Sequence, residues 1–346
     1  MYDKVFINDF VTLGKLVAPA LSETGEYPVN EETFRLSQAD NQFFTREMQL
    51  YALDAVCRKF LSENELVNWI KSFPVQPVER DEEAGIIMAG NIPLVGFHDL
   101  LCVLACGLKA AVKFSSKDKY LPAAILEILF GINPYWRNRI TVADNIPGNI
   151  PLLLASGSDY SVTQISALYP AARKLLRGSR SSVAILKGDE DKEELCGLAA
   201  DVFTYFGFGC RSVSTLLVSE NYDVMKLRRP FSEWRDRMME SRGWSSSYRQ
   251  MKAVLTLNST HFYDFDFCLL AEFGKFPPPN GCLNLYSYSD VGDIQKFLNE
   301  NNARLQAICE SGGGVGRVSP GRMQYPALND YADGVDVPVF LLNNFM

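Results

Sequence analysis

Histidine is scarce in this sequence: only His98 and His261 occur among 346 residues. A histidine-rich zinc site, a histidine-based metalloprotease and a Ser-His-Asp hydrolase each need imidazole beside suitable partners, so these chemistries are disfavoured. The eight cysteines contain no CxxC pair and no regular spacing, which removes the common zinc and dithiol frameworks. No metal site is expected. Basic clusters are missing too. The chain has 34 Lys and Arg against 41 Asp and Glu, a net charge of −7, which argues against a phosphate-backbone partner. The longest apolar stretch, Leu100 to Val112, is interrupted by Gly107 and Lys109 and is too short for a bilayer span of about 20 residues. Asp3 and Lys4 follow Met1 where a signal peptide would carry a basic cluster and an apolar core. A reduced, cytoplasmic setting is the expectation. The rest is ordinary globular composition, 47% apolar and 22% charged, and the length suits two domains.

Periodicity supplies the next layer. The first 45 residues, turn-rich with Gly25, Pro28 and Asn30, are expected to form a loosely packed arm. Arg46 to Phe73 reads as helical, with Leu50, Leu53, Cys57 and Phe60 on one face. Ser62-x-x-Glu65 predicts a capping box for a second helix ending before Pro74. From Ala84, short apolar runs alternate with helical stretches. Strands are expected at Gly85–Ala89, Ala110–Phe114, Arg139–Val142, Pro151–Ala155 and Ser182–Leu186. Helices are expected after Pro93, from Tyr120 to Phe130, Ser161 to Leu168 and Asp189 to Phe206. Beyond Cys210, strands at Ser212–Val218, Cys268–Phe273 and Leu283–Ser287 mix with a helix at Asp290–Asn301. Apolar strands separated by helices argue for parallel sheets. Such sheets bind ligands outside the carboxyl ends of their strands.

Three loops could carry chemistry. Gly90-Asn-Ile-Pro-Leu94 directly follows a strand, and the Asn91 amide can either cap a helix or donate to a developing oxyanion. Lys113, Ser115, Ser116 and Lys117 end another strand, where a lysine is either solvated or holds a ribose or phosphate. Phe206-Gly-Phe-Gly-Cys-Arg211 joins a helix to a strand. Its glycines remove bulk beside Cys210, and the adjacent Arg211 favours a thiolate. Cys102 and Cys106, four apart on an apolar helix, read as packing, as do Cys57 and Cys196. Gly312-Gly-Gly-Val-Gly316 lacks the Lys-Ser/Thr ending of a phosphate loop and reads as a flexible turn.

In this order the segments resemble the aldehyde dehydrogenase superfamily. Gly90-Asn-Ile-Pro-Leu94 is similar to its Asn-Phe-Pro-Leu, and Leu104 to Ser116 to its segment ending in Lys-Pro-Ser-Glu. Ala155-Ser-Gly-Ser158 is similar to its Phe-Thr-Gly-Ser turn, and Phe206 to Cys210 to the Gly-Gln-x-Cys that presents the nucleophile. The closer resemblance is to the acyl-CoA reductase branch, relatives of the reductase that supplies aldehyde to bacterial luciferase. Gly321 to Asp336 resembles a signature of a shorter bacterial group in that branch. The resemblance covers about residues 84 to 346. Its fold implication is α/β and aldehyde dehydrogenase-like: a Rossmann-type parallel-sheet cofactor domain plus a second α/β catalytic domain. The expected division is an N-terminal helical segment (1–80), an NADP-binding domain (81–206), a catalytic domain (207–320) and a C-terminal tail (321–346).

The resemblance implies a reaction and its residues. Cys210 attacks an acyl thioester, with Asn91 holding the oxyanion. Lys113, Ser115, Ser116, Lys117, Ser156, Gly157, Ser158 and Glu272 bind the cofactor. The oxidising members carry a Leu-Glu-Leu-Gly-Gly loop whose glutamate activates water, whereas Leu176 to Val183 here has no carboxylate. Ser116 and Lys117 replace the glutamate that holds an adenosine ribose, which favours NADPH over NADH. The implied activity is reduction of an acyl-CoA to an aldehyde, with acyl carrier protein as an alternative donor. Two other readings stay open: aldehyde oxidation, and a non-catalytic scaffold in an acyl-transfer complex. The resemblance allows a homo-oligomer and a synthetase or transferase partner. His98 either assists proton transfer or packs its helix.

Overall fold

The computed structural model describes residues 2–18 and 29–344, so Gly25 and Pro28 lie outside the described residues. The chain divides into two compact units. Residues to Gly178 and from Tyr325 onward make the first, and Ser179–Gln324 the second. The division expected at 206 therefore falls inside the second unit. The segment expected as a tail from 321 begins in the second unit and continues in the first.

The first unit opens with α1 (Tyr2–Val17), in which Phe6, Phe10, Leu13 and Val17 recur at spacings of four and three and are all buried. The Phe10 ring meets Trp136 edge-on at 5.3 Å. Asp9 accepts hydrogen bonds from Trp136 Nε1 at 2.9 Å and Asn133 Nδ2 at 2.8 Å. Residues 2–17 are thus a core helix and not a loose arm, because their apolar positions follow the 3.6-residue period. Next come α2 (Glu31–Asp40), α3 (Arg46–Lys59) and α4 (Glu63–Lys71). Ser62 occupies the N-cap position of α4 but makes no capping bond, so the expected capping box is absent. Burial of Leu66, Trp69 and Ile70 anchors α4 instead.

A βα alternation follows: β1 (Glu83–Ile87), α5 (Phe97–Ala105), β2 (Lys109–Lys113), α6 (Tyr120–Ile132), β3 (Ile140–Val142), β4 (Leu152–Ser156), α7 (Asp159–Leu168) and β5 (Arg173–Arg177). The sheet order is β3-β2-β1-β4-β5, with every pairing parallel. This order reverses direction between β1 and β4, and a crevice opens at such a switch point outside the carboxyl ends.

The second unit contains β6 (Ser181–Leu186), α8 (Lys192–Phe203), β7 (Val213–Ser219), α9 (Arg228–Ser232), α10 (Arg235–Glu240), α11 (Arg242–Leu257), β8 (Tyr263–Asp264), β9 (Leu269–Ala271), β10 (Cys282–Tyr288), α12 (Val291–Asn301) and β11 (Leu305–Glu310). Its strand order is β11-β6-β7-β10-β9-β8. All pairs are parallel except β8 with β9. Asp191 and Glu194 form a reciprocal capping box that starts α8. Phe203, at its other end, packs against Phe231 at 5.1 Å and Phe267 at 5.2 Å. The chain then returns to the first unit, where α13 (Val337–Asn343) buries Val337, Leu341 and Leu342. Among the described residues no helix is long and apolar enough to cross a membrane.

Candidate active site

In the first unit, three loops rise from the carboxyl ends of adjacent strands. The register aligns Ile87 of β1 with Lys113 of β2 and Ala155 of β4. The residues that follow are the Asn91 loop, the Ser115–Lys117 loop and the Ser156–Ser158 turn. The first two touch closely. A Cβ on Gly90 would lie 2.3 Å from Ser115 Oγ and 3.0 Å from Lys117 Cβ, so only glycine lets these backbones approach. Ser115 Oγ also accepts the Lys117 N–H at 3.2 Å. Lys113 Nζ donates to Asn145 Oδ1 at 3.1 Å, while Ser116, Lys117 and Asn91 are exposed. Ser156 ends β4. Ser158 is the N-cap of α7, its hydroxyl accepting from the Ser161 N–H, and Gly157 N–H donates to the Arg177 carbonyl at 3.1 Å.

Beneath the Asn91 loop lies Asp118, a residue the sequence does not single out. Its Oδ2 accepts the Leu94 N–H at 2.8 Å. Leu94 has φ 61°, a left-handed conformation that costs a leucine about 1 kcal/mol or more. The carboxylate bond supports that strained turn. Asp118 is buried, its Oδ1 has no hydrogen-bond partner, and burial pushes its pKa up to about 7.

His98 is a packing residue. Its Nε2 donates to the Leu328 carbonyl at 2.9 Å, and its ring lies among Phe60, Trp69 and Tyr331. Burial pulls its pKa down, which keeps the imidazole neutral. Arg177 forms a buried bidentate pair with Asp99, at 2.8 Å and 2.6 Å.

In the second unit, Cys210 stands on the turn between α8 and β7. Phe206 and Gly207 are consecutive left-handed residues, at φ 51° and 72°, and they fold the chain sharply out of the helix. Ser182 Oγ donates to the Cys210 carbonyl at 3.0 Å. Ser182 belongs to the stretch Leu176 to Val183, which has no carboxylate, and it bonds the cysteine turn through the backbone carbonyl. Arg211 Nε donates to the Met323 carbonyl at 2.6 Å.

The thiols divide by environment. Burial pushes Cys57 and Cys282 up to about 12 and raises Cys102, Cys106, Cys268 and Cys309 as well. Cys57, Cys196 and Cys210 are half-buried and the other five buried. Cys196 sits within α8, whereas Cys210 is on a turn whose backbone lies outside any helix or strand.

Glu272 is exposed directly after β9. The next residue, Phe273, donates its N–H to Asn284 Oδ1 at 3.1 Å, and the Asn284 amide reaches the Lys275 carbonyl at 2.6 Å. The register of β9, β10 and β7 puts Glu272 past the carboxyl end of β9, while Cys210 precedes the amino end of β7. The loops of Asn91, Ser115–Lys117 and Ser156–Ser158 are neighbours.

Comparison with known proteins gives these loops a context. Residues 84–309 match the family described as acyl-CoA reductase (LuxC). No curated protein matches the chain in sequence. In structure it is similar to aldehyde dehydrogenase 21 from Physcomitrella patens, in complex with the reaction product succinate, at 12% identity and TM-score 0.61. That match covers 88% of this chain and 72% of that one. It is similar to the indole-3-acetaldehyde dehydrogenase AldA of P. syringae, in complex with NAD+ and IAA, at 10% identity and TM-score 0.64, covering 91% and 73%. An NAD+ complex of an aldehyde dehydrogenase from Bacillus cereus matches at 12% identity and TM-score 0.62, covering 91% and 72%. Identities this low speak for the fold alone, and the fold is α/β and aldehyde dehydrogenase-like as expected from the sequence; the structure adds that one sheet is five-stranded and parallel and the other six-stranded and mixed. The family match spans most of both sheets, and on it the chain, with its aldehyde dehydrogenase-like fold, belongs to the LuxC acyl-CoA reductase family.

Proposed function

We propose that this protein reduces a fatty acyl-CoA to the aldehyde, using NADPH, through an acyl-enzyme on Cys210. The observation that carries the reading is the setting of Cys210: a half-buried thiol on a sharply folded turn outside any helix or strand, whereas the other half-buried thiols, Cys57 and Cys196, sit within helices.

The residues of the first unit fit a dinucleotide. The β4–α7 turn stands at the switch point of the sheet. Gly157 carries no side chain there, and Ser158 caps a ten-residue helix whose N-terminus favours a phosphate. Ser156, Gly157 and Ser158 would hold the pyrophosphate. Lys113, Ser115, Ser116 and Lys117 would hold the adenosine ribose, and Glu272 the nicotinamide ribose. Asp118 is the one carboxylate next to Lys117, and it is buried and committed to Leu94. The loop thus offers Ser116 and Lys117 to solvent with no exposed acid between them, which supports a 2′-phosphate and hence NADPH. Bound NADPH supplies a hydride.

Cys210 acts first as nucleophile: its thiolate forms a bond to the thioester carbonyl carbon, and the bond to coenzyme A sulfur breaks as the thiolate of coenzyme A leaves. The Cys210 N–H, and by resemblance the Asn91 amide, are the donors for the oxyanion. Hydride adds two electrons to the enzyme-bound acyl carbon, giving a thiohemiacetal on Cys210 once a proton is taken up. Loss of that hydroxyl proton and cleavage of the carbon–Sγ bond release aldehyde and regenerate the thiolate. The lack of any carboxylate in Leu176 to Val183, the stretch that corresponds to the water-activating loop of the oxidising members, supports a cycle without hydrolysis to the acid.

The test is Cys210→Ala in the full chain, assayed with NADPH, NADH and acyl-CoAs of increasing length. Loss of NADPH oxidation is expected. Turnover equal to that of the unaltered protein would sink the assignment.

A further inference from the structure

The late segment beginning at Gly321 has no part in the reaction as described, yet the structure ties it to the cysteine turn within the second unit. Asp201, on α8, accepts the Gly321 N–H on Oδ2 at 2.6 Å and the Met323 N–H on Oδ1 at 3.1 Å. Gln324 Nε2 donates to the Asp201 carbonyl at 3.3 Å. The Met323 carbonyl then accepts Arg211 Nε at 2.6 Å, and Arg211 is the residue that follows Cys210. The segment lies flat on the helix because neither contact glycine has a side chain. A Cβ on Gly197 would stand 2.8 Å from the Gly321 nitrogen, and Gly321 itself is left-handed at φ 80°.

We propose that Asp201 and Arg211 are positioning residues for Cys210, clamping Gly321–Met323 so that the Met323 carbonyl fixes the turn bearing the thiol. This rests on Cys210 being the nucleophile. Asp201 is on the buried face of α8, where Leu198 and Val202 beside it are apolar and fully covered, and a lone carboxylate there is costly unless it is used. Burial pushes its pKa up to about 7, against the pull of the two N–H groups and of Arg211. From the other side, Ser182 Oγ joins the Cys210 carbonyl to the Ala307 N–H of β11, accepting the latter at 3.2 Å. The turn is therefore held at Cys210 by Ser182 and at Arg211 by Met323.

The experiment compares full-length Asp201→Ala, Asp201→Asn, Arg211→Lys and the Asp201→Ala/Arg211→Lys double variant. Three quantities are read: kcat, KM for NADPH, and the iodoacetamide alkylation rate of Cys210 measured on its own peptide. Each alanine or lysine variant should lower kcat by about tenfold or more with KM changed less than about twofold. Asp201→Asn keeps one acceptor oxygen and should fall less. The double variant should be no worse than the more affected single one, because both cut a single chain of contacts. The alkylation rate should shift in the same direction in all of them. Falls in kcat that multiply in the double variant, or unaltered kcat and alkylation in Asp201→Ala, would overturn the proposal. If Asp201→Ala does not fold, Asp201→Asn against Arg211→Lys decides by the same criteria. Activity retained in Cys210→Ala would instead sink the nucleophile assignment, and the alkylation rates would then decide the clamp alone.

Discussion

Asp118 offers a test of the electrostatics beneath the Asn91 loop, and the test needs no knowledge of the substrate. The perturbation is Asp118→Asn. The folded pKa is raised from 3.8 to about 7, so between those values the folded state keeps a proton that the unfolded state has lost. Stability from this group therefore falls as pH rises through that window and levels off above about 7. At about 1.4 kcal/mol per pH unit, the penalty is ~2 kcal/mol at pH 5 and ~4 kcal/mol at pH 8. Asparagine cannot ionise. It keeps an oxygen for the Leu94 N–H, but its amide nitrogen replaces an oxygen that has no partner, a cost of about 1–3 kcal/mol that does not vary with pH. The stability of Asp118→Asn relative to the parent should thus rise by about 2–3 kcal/mol between pH 5 and pH 8. Urea unfolding of both full-length proteins at pH 5, 6, 7 and 8 measures it. Asp201 has a pKa raised in the same direction but is common to both proteins, so its slope cancels. Parallel stability curves, or a gap that closes with rising pH, would refute the reasoning.

Three further perturbations follow from contacts already described. Gly90→Ala places a Cβ 2.3 Å from Ser115 Oγ; overpacking of this kind costs about 1–3 kcal/mol, and a drop in Tm with weaker NADPH binding by fluorescence titration is expected. Phe10→Ala removes a fully buried ring from the Trp136 contact and should cost about 3–5 kcal/mol in urea unfolding, whereas an arm without packing would cost nothing. Lys117→Glu puts a carboxylate beside Ser116 and should raise KM for NADPH by about tenfold while leaving KM for NADH within about twofold; equal effects on both cofactors would remove the 2′-phosphate reading.

The two sheets are legible where strands are short apolar runs bounded by turn residues. Gly85–Ala89, Ala110–Phe114 and Ser182–Leu186 each fall on an observed strand, displaced by one or two residues. The edge strand at Ile140–Val142 is read as well, but two other edge strands are not. Arg173-Lys-Leu-Leu-Arg177 and Leu305-Gln-Ala-Ile-Cys-Glu310 stand at the ends of their sheets, where one side needs no apolar cover, and their charged residues hide them. The helix at Tyr2–Val17 is readable from its period, but the turn residues after it draw the eye to a loop. Ser62-x-x-Glu65 shows the opposite failure, a capping signature without the bond. Loop residues at strand ends are visible because the βα alternation marks those ends. Asp118 and Asp201 are not, since an aspartate beside Lys117 or inside a helix reads as solvated until its burial is known. A lone acid at the Leu198–Val202 face of α8 is the one available signal.

Those two aspartates answer the same physical difficulty. A loop that presents a thiol or an amide cannot lie in a ladder, so its N–H groups need acceptors from elsewhere. Both turns also contain a left-handed residue with a bulky side chain, Leu94 at φ 61° and Phe206 at φ 51°, which local propensity alone would not hold. In the first unit one carboxylate oxygen takes the N–H of Leu94 itself. In the second, both oxygens of Asp201 take the N–H groups of a distant segment, which passes the restraint on through Met323 to Arg211. A carboxylate suits both tasks because it accepts without donating and fits where a backbone carbonyl cannot be brought. The cost is desolvation, visible as pKa values of about 7 in each case. Rigidity of the two turns is thus obtained at some expense of stability above neutral pH. Replacing both aspartates by asparagine should therefore flatten the pH dependence of unfolding more than either change alone, while lowering kcat through Asp201, as measured on the same preparations.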